Sequence, residues 1–386
     1  MNAAGNSPSK IPELMKINPA LIAGTLAGLL TGCAASPDRN ATPMTLKDAY
    51  RDDFLIGVAI NQSQFYGEDR RGVPIIEAQF NSTTPENILK WESVHPQRDK
   101  YDFTAPDRYV QFGEQNHMYI IGHTLVWHNQ TPRWVFEDDQ GRPASRDILL
   151  QRMHDHIATV VGRYKGRIQG WDVVNEALNE DGTMRNTPWR RIIGDDYIEK
   201  AFQYAHEADP QAQLHYNDYS LENEPKRKGA LALIKKLQGE GIPITAIGLQ
   251  DHVKLDWPST KQLDETITAF AKLGVKVMIT ELDVDVVPAT QHNQTADITL
   301  NAQVTAGGNN LTNGLPAEQQ LQLARRYAEL FGVYRQHHRD ISRVTFWGVT
   351  DGDSWLNGRN RVNYPLLFDR AGNPKPAFFA VLKQAK

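Results

Sequence analysis

Short apolar runs that alternate with amphipathic stretches recur from about residue 54 to residue 348, and this rhythm restricts the fold more than any other feature. The runs are Phe54–Ile60, Ala78–Ser82, Met118–Leu125, Ile168–Val174, Gln213–Asn217, Ala246–Gln250, Lys276–Thr280 and Arg343–Gly348. Most are rich in β-branched or aromatic residues and do not alternate strictly between apolar and polar. A strand covered on one face alternates with period two. A strand buried on both faces has no polar side to show, so these runs read as strands of a parallel sheet. The intervening segments have helical spacing. In Ile148–Tyr164, residues Ile148, Leu149, Met153, Ile157, Val160 and Val161 share one helix face. Tyr197–Ala208, Pro225–Gly239, Lys261–Leu273 and Glu318–His338 behave alike. Strand–helix units repeated over about 340 residues predict an α/β protein with a closed (β/α)8 architecture, a TIM barrel, as a single domain. Residues 47–386 are assigned to it. An open doubly wound sheet is the rival arrangement. No Gly-x-Gly-x-x-Gly turn follows the first run, so nothing favours a nucleotide-binding version.

Two segments stand outside this rhythm. Lys16 precedes an apolar stretch, Ile17–Leu30, that runs into Leu30-Thr31-Gly32-Cys33. A positive, then apolar, then small-residue order is that of a bacterial signal peptide, here residues 1–33. Its ending resembles a lipobox, in which Cys33 is lipidated and becomes the first residue of the mature chain. Met15 is an alternative start, which would make residues 1–14 upstream sequence. The apolar stretch is shorter than the roughly 20 residues needed to span a bilayer. Residues 34–46 are small, polar and proline-containing, and read as a tether. The expected location is the outer membrane of a Gram-negative bacterium, with the lipid as the only tie to the membrane. Soluble secretion is the alternative. The other segment, residues 289–316, is rich in Gln, Asn, Thr and Gly and reads as a long loop after the seventh strand.

The remaining composition mainly excludes. Cys33 is the single cysteine, so no intramolecular disulfide can form. The formal charge is −4 with both signs interspersed, and no basic run suggests nucleic acid. No His-x-x-x-His or Cys-rich spacing suggests a metal, and no cofactor is expected. A monomer is expected.

In a barrel of this kind the reacting side chains project from the C-terminal ends of the strands. The polar and aromatic residues there are His123 and Trp127, Asn175 and Glu176, Asn217 and Tyr219, Gln250 and His252, Glu281 and Asp283, and Trp347 and Asp351. A lone carboxylate in such a place is often only a helix cap or an ion-pair partner. Two glutamates on the fourth and seventh strands lie nearly opposite in the ring and can face each other across a cleft. Paired carboxyls suit glycoside hydrolysis. The glycosidic oxygen leaves only when protonated, so one carboxyl must start as an acid. The oxocarbenium-like transition state needs an ionised partner on the other face.

The segment Trp171-Asp172-Val173-Val174-Asn175-Glu176 resembles the acid/base motif of family 10 glycoside hydrolases, the endo-β-1,4-xylanases. Ile279-Thr280-Glu281-Leu282-Asp283 resembles that family's nucleophile motif. Three further segments match in order: Thr84-Pro85-Glu86-Asn87 leading to Lys90-Trp91-Glu92, then Gly122 through His128, then Trp347-Gly348-Val349-Thr350-Asp351 reaching Ser354-Trp355. The resemblance implies cleavage of xylan or xylo-oligosaccharides with retention of configuration, Glu176 as acid/base and Glu281 as nucleophile. It implies that Asn175 hydrogen-bonds the sugar 2-hydroxyl, that His252 hydrogen-bonds Glu281 and is oriented by Asp283, and that Gln250 sits beside the acid/base. Strand alternation would put Gln250 and His252 on one face and Asp251 on the other. Glu86, Asn87, Lys90 and His123 would bind sugar hydroxyls, with Trp127, Trp347 and Trp355 as walls. Trp347 would crowd sugar C6, where xylose lacks a hydroxymethyl group.

Other residues read more plainly. His128 has a core-histidine reading beside its place in the motif, Trp91 and Trp134 read as packing, and Asp351 as an ion-pair partner. Leu356 follows Trp355 where the family often has arginine, so the rim there departs from the pattern. A cellulase or mannanase on the same barrel, and a carbohydrate-binding protein without catalysis, are the alternatives. The Trp347 and Lys90 segments count against the first, and the two intact glutamates against the second.

Overall fold

The strand runs close into a ring in the computed structural model, which describes residues 44–287, 311–358 and 361–385. The signal peptide, Cys33, most of the tether and most of the 289–316 loop lie outside the described residues. The strands are β1 (Leu55–Ile60), β2 (Ser82–Pro85), β3 (Tyr119–Val126), β4 (Gly170–Asn175), β5 (Gln213–Asp218), β6 (Ala246–Leu249), β7 (His252–Lys254), β8 (Lys276–Asp285) and β9 (Ile341–Phe346). Every pairing is parallel. Strands β1 to β6 follow one another, β6 pairs with β8, β8 with β9, and β9 returns to β1. The result is the expected (β/α)8 barrel, with β8 and β9 as its seventh and eighth strands. Strand β7 adds to the C-terminal end of β8, pairing His252 with Asp283.

Burial on both faces explains the continuous apolar runs: every residue of β4, and all of β8 but its two ends, is buried. Helices Arg146–Arg163, Tyr197–Ala208, Glu224–Gly239, Thr260–Ala271 and Ala317–Gln336 lie within two residues of the ranges predicted from helical spacing. Several begin at side-chain caps. Ser145 Oγ accepts from the Ile148 N–H, and Ser259 forms a capping box with Gln262. At the base of the ring, Tyr50 is fully buried and its hydroxyl donates to the Val381 carbonyl, tying the first helix to the last. Glycine is required at position 122 because a Cβ there would lie 2.1 Å from the Trp171 ring, which crosses β3. Among the described residues no helix is long and apolar enough to cross a membrane.

The second strand differs from expectation. Residues 78–79 end a helix, Gly72–Gln79, and the strand begins at Ser82. The apolar residues of this stretch serve the helix and its exit, with Ile76 and Phe80 in the core. The strand itself is Ser-Thr-Thr-Pro, wholly buried although polar. Ser82 Oγ donates to the Tyr119 carbonyl at 2.9 Å, so a buried hydroxyl is accommodated by the neighbouring strand. A search for apolar runs passes over such a strand.

Candidate active site

Strand ends are where this barrel becomes irregular. The β3–β4, β4–β5 and β8–β9 ladders shift register at His123/Val126, Asp172/Val174 and Ile279/Leu282, next to the residues singled out from sequence. Such shifts re-aim side chains. Glu176, immediately after β4, has φ of 57°, a left-handed conformation uncommon for a non-glycine residue. Its carboxylate accepts from Trp127 Nε1 at 2.9 Å, Gln250 Nε2 at 3.1 Å and Asn175 Nδ2 at 3.3 Å.

Glu281, within β8, is held by different groups. Asn217 Nδ2 donates to its Oε1 at 2.8 Å, and His252 Nε2 lies 3.1 Å from its Oε2. The other ring nitrogen of His252 is 3.0 Å from Asp283, whose second oxygen accepts from Trp355 Nε1 at 2.7 Å. Asn217 also donates to Asn175 Oδ1 at 2.9 Å and accepts from Thr280 Oγ1 at 2.7 Å. One asparagine therefore links the surroundings of both glutamates.

These environments bias the two carboxyls in opposite directions. Burial pushes the Glu176 carboxyl up, the nearby Asp218 and Glu281 charges add to this, and the Gln250 and Trp127 donors offset only part. Glu281 is as deeply buried, but the His252 hydrogen bond, the His123 and His252 rings and the Asn217 donor outweigh desolvation, and its carboxyl lies below the usual range. Burial acts to lower His252, but Asp283 and Glu281 on its two nitrogens prevail and raise it to about 10.

Around the pair is an open cleft of about 650 Å³. Lys90 Nζ donates to Asn87 Oδ1 and Gln130 Oε1, both at 2.9 Å, and sits 5.0 Å over the Trp127 ring. Glu86 is raised to about 7, by burial first and then by Asp353. His123 Nδ1 is 3.0 Å from Asp172, which also meets His215 at 3.2 Å. Trp347 meets the rings of His123 and His252 edge-on at 5.5 and 6.4 Å. Among the described residues no group of His, Cys, Asp or Glu is arranged to hold a metal ion.

The family model for glycosyl hydrolase family 10 matches residues 45–384. The chain belongs to this family. It is 42% identical over 342 residues to endo-1,4-beta-xylanase A of Xylanibacter ruminicola, covering 88% of this chain and 93% of that one. It is 43% identical over 345 residues to a beta-1,4-xylanase of Dictyoglomus thermophilum, covering 88% and 90%. Among solved structures, a GH10 endoxylanase retrieved from a sugarcane soil metagenome matches with a TM-score of 0.82 at 44% identity, over 89% of this chain and 99% of that one. A xylanase mutant of Thermoanaerobacterium saccharolyticum in complex with xylotriose matches with a TM-score of 0.77 at 38% identity, over the same shares. This family 10 protein is a glycoside hydrolase.

The family 10 cleft brings together Glu86, Asn87, Lys90, His123, Trp127, Asn175, Glu176, Gln250, His252, Glu281, Trp347 and Trp355, with Asp283 behind His252. Gln130 lines it as well and was not foreseen; it sits in a loop after β3, and no motif marks it. Asn217 was visible as a strand end, but its link to both glutamates could not be read from one sequence. Trp127 was expected as a wall and is also a donor to Glu176. His128 does not line the cleft, and Asp351 pairs with Lys375 at 2.9 Å. Trp91 is buried against His156, and Trp134 lies outside the cleft. Gln250 and His252 both face the cleft, but not by strand alternation. Asp251 between them has φ of 54° and interrupts the strand, so a turn presents both.

Because the folded value for His252 is about 10 and the unfolded value about 6.5, its ionisation stabilises the fold fully below pH 6.5. That contribution fades as pH rises through 10. Proton NMR of the histidine rings is expected to show His252 still charged at about pH 8. A His252 ring that titrates near 6.5 would mean that the two carboxylates do not control it.

Proposed function

We propose that the chain is an endo-1,4-β-xylanase that hydrolyses xylan or xylo-oligosaccharides by double displacement, with Glu176 as acid/base and Glu281 as nucleophile. The observation that carries this reading is the opposite bias of two buried carboxyls in one cleft, Glu176 toward the acid and Glu281 toward the anion. In the first step the Glu176 proton passes to the glycosidic oxygen while Glu281 attacks the anomeric carbon. The C–O bond to the leaving sugar breaks and an ester to Glu281 forms. In the second, Glu176 takes a proton from water as that water attacks the same carbon and frees Glu281. His252 and Asn217 hold Glu281 ionised before attack and stabilise it as the leaving group afterwards. Asn175 is the donor proposed for the sugar 2-hydroxyl. Lys90, Asn87, Glu86 and His123 are proposed to bind hydroxyls of the glycone.

Xylose as the substrate unit is supported by the xylanase relatives and by a related structure holding xylotriose. The Trp347 ring, braced by His123 and His252, is proposed to fill the space a hydroxymethyl group would need. The enzyme is proposed to act as a monomer.

The two glutamates are separated by variants. Glu281→Ala is expected to lose turnover on every glycoside, and added azide, attacking from the vacated face, to restore cleavage with inverted configuration. Glu176→Ala is expected to lose about 10²–10⁴-fold on substrates with poor leaving groups. It should still form the ester with activated aryl glycosides and then stall, and azide should give a product of retained configuration. Product anomers read by NMR decide between these roles; exchanged outcomes would reverse the assignment.

Export and anchoring are proposed on the signal-peptide order and the Leu30–Cys33 ending, with the outer membrane as destination because Ala34 follows the cysteine. Membrane fractionation with mass spectrometry tests this. Cys33→Ser is expected to release the protein from membranes, and a variant that stays membrane-bound without lipid would refute lipidation at Cys33.

A further inference from the structure

Behind the turn that carries Gln250 and His252 lies a pair of acidic side chains for which the mechanism has no use. Glu222, in the loop after β5, and Asp251, at the centre of the turn, are each only 2% exposed, and their carboxyls are in hydrogen-bond contact. Among the described residues no N–H or O–H reaches Glu222 Oε1 or Asp251 Oδ1. Two buried carboxylate oxygens without another donor can stay in contact only if one carboxyl supplies the hydrogen between them.

The surroundings decide which one does. Burial pushes the Asp251 carboxyl up as well, but its Oδ2 accepts from the Tyr334 hydroxyl at 2.6 Å, and the charges of Arg326 on the same helix and of His252 next to it offset part of that rise. Arg326 is fixed there by its bond to the Lys254 carbonyl at 3.0 Å. Glu222 has Lys226 as its cationic neighbour, but Lys226 is committed to Asp218 at 3.0 Å. Burial first, and then the Asp251 charge, push the Glu222 carboxyl well above the usual range. The proton therefore sits on Glu222, and Asp251 is the acceptor.

We propose that Glu222 is a positioning residue whose neutral carboxylic acid donates a hydrogen bond to Asp251 and so fixes the turn that holds both catalytic glutamates. The placement of the turn gives this its consequence. Asp251 occupies the left-handed conformation between Gln250, which donates to Glu176, and His252, which contacts Glu281. The same turn accepts the Glu281 N–H at the Gln250 carbonyl, 3.0 Å away. A strained residue persists where its surroundings over-determine it, and here the Tyr334 hydroxyl and the Glu222 acid grip the two Asp251 oxygens. Loss of the Glu222 proton would set two buried anions against each other and loosen the turn.

This inference rests on the reading of Glu176 and Glu281 as the catalytic pair. Its test uses Glu222→Gln, whose amide is a permanent donor of the same shape, and Glu222→Ala, which removes the donor. On an aryl xylobioside, Glu222→Gln is expected to keep kcat within about twofold of the wild type. Glu222→Ala is expected to lower kcat by about tenfold to a hundredfold, the range for a misplaced reacting group, with KM changed less. Carbon-13 NMR of glutamate carboxyls, compared with Glu222→Gln, should show Glu222 still protonated at neutral pH. The proposal is overturned if Glu222→Gln is as impaired as Glu222→Ala, if Glu222→Ala lowers the melting temperature and leaves kcat unchanged, or if Glu222 titrates in the ordinary carboxyl range. The carboxyl titration needs no substrate. A wild-type enzyme inactive on every xyloside would therefore sink the catalytic reading without deciding the state of Glu222.

Discussion

Burial in one cleft raises the proton affinity of both carboxyls, and much of the polar structure at the mouth of this barrel acts on that penalty. Glu281 is relieved of it by His252, which is itself held in the charged form by Asp283, and by the Asn217 amide. Glu176 receives neutral donors from Trp127, Gln250 and Asn175 and has the Asp218 charge nearby. A charged donor on one carboxyl and neutral donors on the other are enough to separate an anion from an acid at the same depth of burial.

The barrel supplies what this arrangement needs from the backbone. Glu176 directly follows β4 and Glu281 lies within β8, and both strands belong to one closed ring of parallel pairings. Departures from regularity are concentrated at strand ends: the register shifts, the left-handed Glu176 and the left-handed Asp251. A ring with irregular ends allows side chains from several strands to converge without the ladder below being disturbed. The Asn217 and Gln250 amides join groups from different strands, so the site behaves as one network and not as two separate carboxylates.

Much of this was legible in the sequence because it follows from periodicity. Strands buried on both faces and helices with one apolar face leave patterns that no tertiary contact needs to explain. The residues of the cleft were legible for a second reason, since five motifs fall at strand ends where side chains converge. The second strand escaped because its buried residues Ser82, Thr83 and Thr84 are polar, and the accommodation of the Ser82 hydroxyl depends on the Tyr119 carbonyl of the neighbouring strand. Gln130, Glu222 and the link from Asn217 to both glutamates escaped because their importance lies in contacts far apart in the chain, such as Asn217 with Glu281 or Glu222 with Asp251. The turn at Asp251 was read as continued strand because a single left-handed residue leaves no trace in a pattern of hydrophobicity.

The double displacement proposed for the two glutamates can be tested on the wild-type enzyme without any substitution. A linear xylo-oligosaccharide is cleaved, and the newly formed reducing end is followed by proton NMR before mutarotation proceeds. The β anomer is expected to appear first and to convert slowly to the α form, because attack by Glu281 and then by water inverts the carbon twice. An α anomer appearing first would mean that water attacks directly, and would contradict Glu281 as the nucleophile.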